Sequence, residues 1–293
     1  MIASFVDSWV LFQQTYLAGW CIGLLLSCIG VLVVARDQIF IGVAVSQAST
    51  LGVAVGLTLG GLLGVESAHW VRSDGFLSLL AVMFAILAAL LTARKREAGG
   101  ESHEAITGWV FLISASLAVL LVAHSPHGLE EVQRLLSSSL IGATATDVWT
   151  FGSLAGVTLV VVGMAHRRLL LFALDPAMAT AVGMRTSLWT VGSAVWLGFA
   201  VGLSIRVSGM LYTFGSLVLP ALVAKNLCRE VRSVFLLAPL IAVGVSIVGF
   251  VCANHYDYPP GPMTVALLSF GLIMAWALRK LRDSMSGHNA SGA

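Results

Sequence analysis

Charged residues are scarce in this chain. Asp, Glu, Lys and Arg make up 10% of its 293 residues, 58% are hydrophobic, and the mean hydropathy is +0.95. Soluble domains carry about 25% charged residues. This composition excludes an ordinary soluble domain and predicts an all-α integral membrane protein, a polytopic bundle of eight or nine transmembrane helices.

Signatures of enzymes and of nucleotide binding are also missing. None of the three lysines follows a glycine, so the phosphate-binding pattern G-x-x-x-x-G-K-[ST] does not occur. H-E-x-x-H and G-x-S-x-G are absent, and no apolar run carries a charge near its centre, as proton-coupled carriers usually require. The chain is predicted to be no enzyme and to hold no cofactor of its own. No nucleic-acid partner is expected.

Basic residues lie at the ends of the apolar runs. Successive crossings place 13 of the 16 Lys and Arg residues on one side: Arg36, Arg94, Lys95, Arg96, Arg167, Arg168, Arg185, Lys225, Arg229, Arg232, Arg279, Lys280 and Arg282. The positive-inside rule makes that side the cytoplasm. Residues 1–14 are predicted to form an interfacial amphipathic segment, 15–282 a single transmembrane domain, and 283–293 a disordered cytoplasmic tail. Residues 187–207 and 209–224 are predicted to cross in opposite directions.

The second apolar run combines small residues with the densest polar cluster in any run. Small residues recur at every fourth position: Ala44, Ala48, Gly52, Gly56, Gly60 and Gly64. This spacing lets helices approach closely in lipid, so the run is predicted to lie inside the bundle. Ser46, Gln47 and Thr50 occupy a neighbouring face. They either form hydrogen bonds between helices or line a translocation path.

Residues 174–184 predict a short helix with a signal at each end. Asp175 suits the N-cap, Pro176 the first helical position, and Gly183 the left-handed residue that closes the last turn. A helix of about two turns is unstable alone in water, so it must dock against something. Its basic flanks place it on the cytoplasmic face, where we expect another protein to bind it. The candidate contact residues are Asp175, Pro176, Ala179 and Gly183.

Histidines in the predicted external loops are weak candidates for metal ligands. These residues are His69, His124, His127 and His255. Their spacings match no closed metal motif, so simple solvation explains them better than metal binding. No metal site is assigned.

Four stretches carry a family resemblance, in order and spacing as well as in residues. They are 30–56 with Arg36 and Phe40-Ile41-Gly42, 174–184, 206–225 with Ser208-Gly209 and Leu219-Pro220-Ala221, and 256–265 with Asp257 and Gly261-Pro262. Over about residues 17–282 the chain resembles the membrane permeases of bacterial ABC importers for zinc, manganese and iron.

This resemblance implies a multi-pass protein of the bacterial inner membrane. It also implies a dimer of permeases, two ATP-binding subunits that grip the 175–183 helix, and an extracytoplasmic metal-binding protein that delivers the ion. ATP would be bound by the partner subunit, and a divalent metal would be the cargo.

The second run departs from the family pattern. Family members typically carry Asp and His four residues apart, in a Gly-Asp-Ala-Leu-Ser-His-Ala pattern, where this chain has Val43 and Gln47. Valine has no donor atom, and an amide oxygen is a neutral, hard ligand. Three explanations compete: the chain pairs with a second permease that keeps these ligands, it passes metal without a mid-membrane site, or it carries a metal chelate or another small solute. A further alternative is a non-transporting membrane scaffold derived from a permease.

Overall fold

The computed structural model describes residues 2–62, 74–93, 102–123, 140–228 and 230–290. All regular structure in these ranges is helical. The described ranges contain nine α-helices: α1 (Ile2–Ala35), α2 (Phe40–Leu62), α3 (Asp74–Thr92), α4 (His103–Val122), α5 (Ala145–Leu174), α6 (Pro176–Ala181), α7 (Thr186–Leu227), α8 (Val231–Tyr256) and α9 (Pro260–Ala290). A short 3-10 helix, Leu140–Gly142, precedes α5. Eight of the nine, all but α6, are long and apolar enough to cross a membrane, which confirms the predicted all-helical membrane fold.

Polar contacts distinguish the two ends of the bundle. At one end, here called the inner end, Lys225 lies 3.2 Å from Asp37, and Arg279 donates a hydrogen bond to Asn226. At the opposite, outer end, Arg206 lies 3.6 Å from Asp147, which belongs to a capping box at the start of α5. The helices therefore alternate in direction between a basic inner end and an outer end.

Small residues of α2 bring its backbone close to α3, as predicted. A Cβ atom added at Gly52 would lie 2.5 Å from the carbonyl oxygen of Leu80, and one added at Gly56 would lie 2.6 Å from the side chain of Leu77. Ala44 and Ala48, one and two helical turns earlier, are buried. The second helix thus lies inside the bundle, and only glycine permits this approach to α3. Gly64 lies outside the described residues.

Helix α7 is divided into two arms by a break at Gly209. This residue has φ 74° and ψ 169°, the only non-helical backbone angles within the element. In the first arm, Gly198 packs against Ile86 and Gly202 against Val82 of α3. Since the position along α3 decreases as the position along α7 increases, the first arm runs antiparallel to α3, towards the outer end.

The second arm returns towards the inner end. The Tyr212 hydroxyl donates a 2.8 Å hydrogen bond to the carbonyl oxygen of Gly19, and the Leu217 carbonyl lies against Gly30 further along α1. The second arm is therefore parallel to α1, which runs from the outer to the inner end. The prediction that residues 187–207 and 209–224 cross in opposite directions is confirmed. Both segments belong to the same helical element, α7.

The N-terminal residues fold back onto the first span. Ring centroids of Phe5 and Tyr16 lie 4.7 Å apart, and those of Trp9 and Trp20 lie 6.0 Å apart. Each pair is separated by eleven residues, which a straight helix would space by about 16 Å. Helix α1 must therefore bend between them. Residues 2–14 are assigned to the same helical element as the first span, and their interfacial location stays a prediction.

The last helix extends further than predicted. It is assigned from Pro260 to Ala290, so residues 283–290 continue α9, where the sequence predicts a disordered tail. No helix-stopping residue follows the basic run at Arg279 and Lys280 until Gly287, so the helix continues beyond its apolar part. Residues 291–293 lie outside the described part of the chain, as do residues 63–73 and 124–139.

Candidate functional site

The start of α6 has the cap that the sequence predicts. The Asp175 side chain accepts a hydrogen bond of 2.8 Å from the Met178 amide, and Pro176 occupies the first helical position. The carboxylate satisfies one of the amides that a helix leaves free at its N-terminus, and its charge opposes the positive end of the helix dipole. Proline costs nothing there because its missing N–H would have had no partner.

The end of α6 is closed by a Schellman motif. Gly183 has φ 82°, its N–H donates to the Thr180 carbonyl, and the Met184 N–H donates to the Ala179 carbonyl, each at 3.0 Å. This pair of hydrogen bonds reverses the chain immediately after the helix. The sequence prediction of Asp175, Pro176 and Gly183 as the terminal residues of this helix is confirmed.

One face of α6 is held by the bundle, and the other is free. Ala179 is completely buried, whereas Leu174, Met178 and Val182 are 56%, 55% and 60% exposed. Exposed basic residues surround this face: Arg167, Arg168 and Arg185. An apolar patch rimmed by charge is typical of a surface that binds another protein.

The residues just before α6 are fixed to the first span. Phe172 is buried, the Arg36 guanidinium carbon lies 4.6 Å from the centre of its ring, and the Trp189 ring packs 6.3 Å away. Arg36 is half-buried, and this burial lowers the pKa of its guanidinium. The cation–π contact therefore joins the end of α1 to the end of α5, directly before α6.

The polar cluster of α2 is divided between two environments. Ser46 and Thr50 are 0% and 2% exposed, and Thr50 donates a 3.2 Å hydrogen bond to the Ser46 carbonyl of its own helix. Hydroxyls used in this way satisfy the helix from which they come. Neither residue reaches an open surface within the single chain, so their role in a translocation path stays a prediction.

Gln47 has a different position. It is half-buried, and its amide nitrogen donates a hydrogen bond of 3.2 Å to the Met210 sulfur, on the residue directly after the break in α7. Val43, one turn earlier, is also half-buried on this face. The two positions that hold Asp and His in the resemblance therefore share one partly open helix face, beside the reversal of the chain. The structure places valine, amide and thioether groups there, none of them charged.

Two residues of this arrangement were not singled out as site residues from the sequence. Gly209 supplies the left-handed backbone of the break, and Met210 supplies the partner of Gln47. The Ser208-Gly209 pair in a long apolar run was the available signal for the break. No sequence signal connects Met210 to Gln47, because the contact spans 163 residues.

The histidine candidates receive no support from the described residues. His255 is exposed, and its ring packs edge-on against the Tyr256 ring, with centroids 4.8 Å apart. His69, His124 and His127 lie outside the described residues. Within the described ranges, no group of three His, Cys, Asp or Glu side chains is placed to hold a metal ion. Asp257 adopts the left-handed conformation that ends α8, so it organises the turn.

A bundle of apolar membrane-spanning helices, with a short, capped and exposed helix at its basic end, is the architecture typical of a membrane permease. The chain belongs to the ABC 3 transport family, whose model matches residues 8–279. The family resemblance carried by the four sequence stretches is thereby confirmed.

Relatives and a solved structure agree with this family. The chelated iron transport system membrane protein YfeD of Yersinia pestis is 24% identical over 215 residues, covering 73% of this chain and 71% of that protein. The manganese import system permease protein ScaB of Streptococcus parasanguinis is 21% identical over 295 residues, covering 98% and 100%. The fold is similar to the structure of PsaBC from Streptococcus pneumoniae in complex with Fab, with a TM-score of 0.77, 18% identity, and 94% and 95% of the two chains covered.

Proposed function

We propose that this chain is the permease subunit of an ABC importer. It moves a divalent transition metal, zinc, manganese or iron, across the bacterial inner membrane, and a separate subunit hydrolyses ATP. Family membership supports metal transport, and relatives named for manganese and iron support the choice of cargo. An extracytoplasmic binding protein delivers the ion to the outer end, and a second permease completes the pore.

The exposed face of α6 is the observation that carries this proposal. Helix α6 has six residues, is capped at both ends and buries only Ala179. A helix this short is unstable alone, so the exposed apolar side chains of Leu174, Met178 and Val182 support a partner that covers them. The ATP-binding subunit is the partner that fits, because the face lies at the basic, cytoplasmic end and is joined to α1 through Arg36 and Phe172.

The test is a charge placed at the centre of this face. Met178→Glu should abolish both co-purification with the ATP-binding subunit and transport, because a carboxylate would be buried in an apolar contact without a partner. Ser187→Glu is the matched control: this residue is also exposed and close to α6 but lies beyond its end. If Met178→Glu assembles and transports normally, α6 is not the docking helix.

A metal chelate or another small solute is the second candidate cargo. It is favoured by the neutral pair of Gln47 and Met210, together with Val43, on the partly open face of α2. A bare divalent ion crossing this face would lose its water without gaining a charged ligand. A chelated ion keeps its ligands and needs only a polar, uncharged passage.

Three measurements separate a chelate carrier, a permease paired with a second permease, and a scaffold. The first is uptake by the double variant Val43→Asp with Gln47→His. If this chain carries a chelate, the double variant should lose chelate uptake. Its new Asp and His side chains should instead hold a free metal ion within the membrane. If a second permease supplies Asp and His, the complex purified through this chain should contain that permease. If neither cargo moves in cells that contain all partner subunits, the chain is a scaffold and transport is excluded.

A further inference from the structure

A cavity of about 380 Å³ lies between α1, α5 and the first arm of α7. It is called here the inner-leaflet cavity, and it is lined by Cys28, Leu32, Val161, Phe172, Gly192 and Trp196, among others. Almost all of its lining is hydrophobic. Neither α6 nor the Gln47 face contributes to it, but the contact of Arg36 with Phe172 described above lies at its inner end.

The depth of the cavity corresponds to one half of a bilayer. Its α1 wall runs from Cys28 to Arg36, eight residues that rise about 12 Å towards the inner end. One leaflet contributes about 15 Å to a hydrocarbon core of about 30 Å. At its deeper end, Trp196 donates a 3.0 Å hydrogen bond to the Thr158 hydroxyl and so links α7 to α5. The cavity therefore extends from mid-membrane to the cytoplasmic boundary.

The cavity is accessible from the lipid-facing side of the bundle. Three of its lining residues, Val157, Val161 and Leu188, have side chains that are 51%, 49% and 62% exposed. An opening flanked by valine and leucine at membrane depth meets hydrocarbon chains and excludes water. The expected occupant is therefore apolar over most of its length.

The inner end of the cavity is positively charged. Arg36 lines it, half-buried, and none of the described residues gives its guanidinium a carboxylate partner; the nearby Asp37 pairs with Lys225. Arg168 lies on the same face of α5 as Val161 and Phe172, at helical spacings of seven and four residues. A basic group at the cytoplasmic end of a cleft between transmembrane helices matches the headgroup of an anionic phospholipid.

We propose that the inner-leaflet cavity is a binding site for an anionic phospholipid of the cytoplasmic leaflet. An acyl chain fills the space between α1, α5 and α7, and Arg36 binds the phosphate. A bound lipid would complete the contact between α5 and α7, next to the Phe172 connection to α6. This site does not depend on the identity of the transported solute.

The test is native mass spectrometry of the purified chain, mixed in detergent with equal amounts of phosphatidylglycerol and phosphatidylcholine. Wild-type protein should retain one phosphatidylglycerol in preference to phosphatidylcholine. Arg36→Gln should reduce this preference about five-fold, the effect of one basic residue at a lipid surface, whereas Arg36→Lys should retain most of it. Equal retention of the two lipids by the wild type would overturn the proposal.

A glycine pair tests whether the lipid lies in the cavity. Gly192 lines it, and Gly163 does not; an added Cβ meets nothing within 4 Å at either position. Gly192→Phe should abolish lipid retention by filling the space, and Gly163→Phe should bind as the wild type does. Unchanged retention in Gly192→Phe would exclude this cavity. Loss of a second copy of the chain, rather than of a lipid, would assign the cavity to a subunit contact and overturn the proposal as well.

Discussion

Replacing Asp175 by alanine should destabilise α6 without disturbing the rest of the bundle. The Asp175 carboxylate accepts the Met178 amide at 2.8 Å and is exposed, so its loss removes one capping bond and creates no cavity. Loss of an N-cap side chain costs about 1 kcal/mol, with a range of about 0.5–2 kcal/mol. The effect is large for this element because α6 has only six residues and begins near the threshold of stability.

A change of about 1 kcal/mol corresponds to an about five-fold increase in the opening of the helix. The amides that report it are those of Ala179, Val182, Gly183 and Met184, whose hydrogen bonds lie within α6 or close its end. Hydrogen exchange measured by mass spectrometry on a peptide spanning residues 174–185 should accelerate about five-fold, while peptides from α1 and α2 keep their rates. Binding to the ATP-binding subunit should weaken by at most this factor, because it falls only in proportion to the fraction of α6 that is folded.

Asparagine at the same position provides the control. Its side-chain oxygen can accept the same amide, so Asp175→Asn should exchange nearly as the wild type does and lose only the charge interaction with the helix dipole. The reasoning is refuted if alanine and asparagine have equal effects, or if exchange in residues 174–185 is unchanged in Asp175→Ala.

Two further predictions concern the stability of the bundle, measured by unfolding of the purified protein in detergent. Gly52→Ala should destabilise it by about 1–3 kcal/mol, because the new Cβ would lie 2.5 Å from the Leu80 carbonyl oxygen, which cannot move without shifting α3. Gly108→Ala, whose Cβ meets nothing within 4 Å, should be neutral, and equal effects of the two would contradict the close approach of α2 and α3. Asp147→Ala should cost about 1–2 kcal/mol by removing the acceptor of the Thr144 amide and hydroxyl at 2.9 and 2.7 Å. Asp147→Asn should cost less than about 1 kcal/mol, since it loses mainly a partly exposed ion pair. Equal losses with asparagine and alanine would show that charge, not capping, fixes this end of α5.

Features encoded within a few residues were predictable from the sequence. The apolar runs fix the spans, because the bilayer requires helices of sufficient length and hydrophobicity. The ends of α6 follow from Asp175, Pro176 and Gly183, since capping involves only residues within one or two turns. The break near Gly209 and the close packing of the small residues in α2 have the same local origin.

Three features were decided only by tertiary structure. The environments of Ser46, Gln47 and Thr50 depend on which face of α2 meets α7, and a helical spacing gives a face without naming its neighbour. The fold-back of α1 depends on aromatic contacts that favour a bend where the sequence shows no breaking residue. The inner-leaflet cavity is lined by residues of α1, α5 and α7 that lie far apart in the sequence, so only their packing creates it.

By itself, the sequence determined that the chain is a helical membrane protein, which of its ends is basic, and where the short helix α6 begins and ends. Each of these rests on interactions with solvent, with lipid or within one helix. The tertiary structure alone decided that Gln47 meets Met210, that Arg36 meets Phe172, and that a cavity separates α5 from α7. These are contacts between helices distant in the chain, and their geometry is fixed only when all helices pack together.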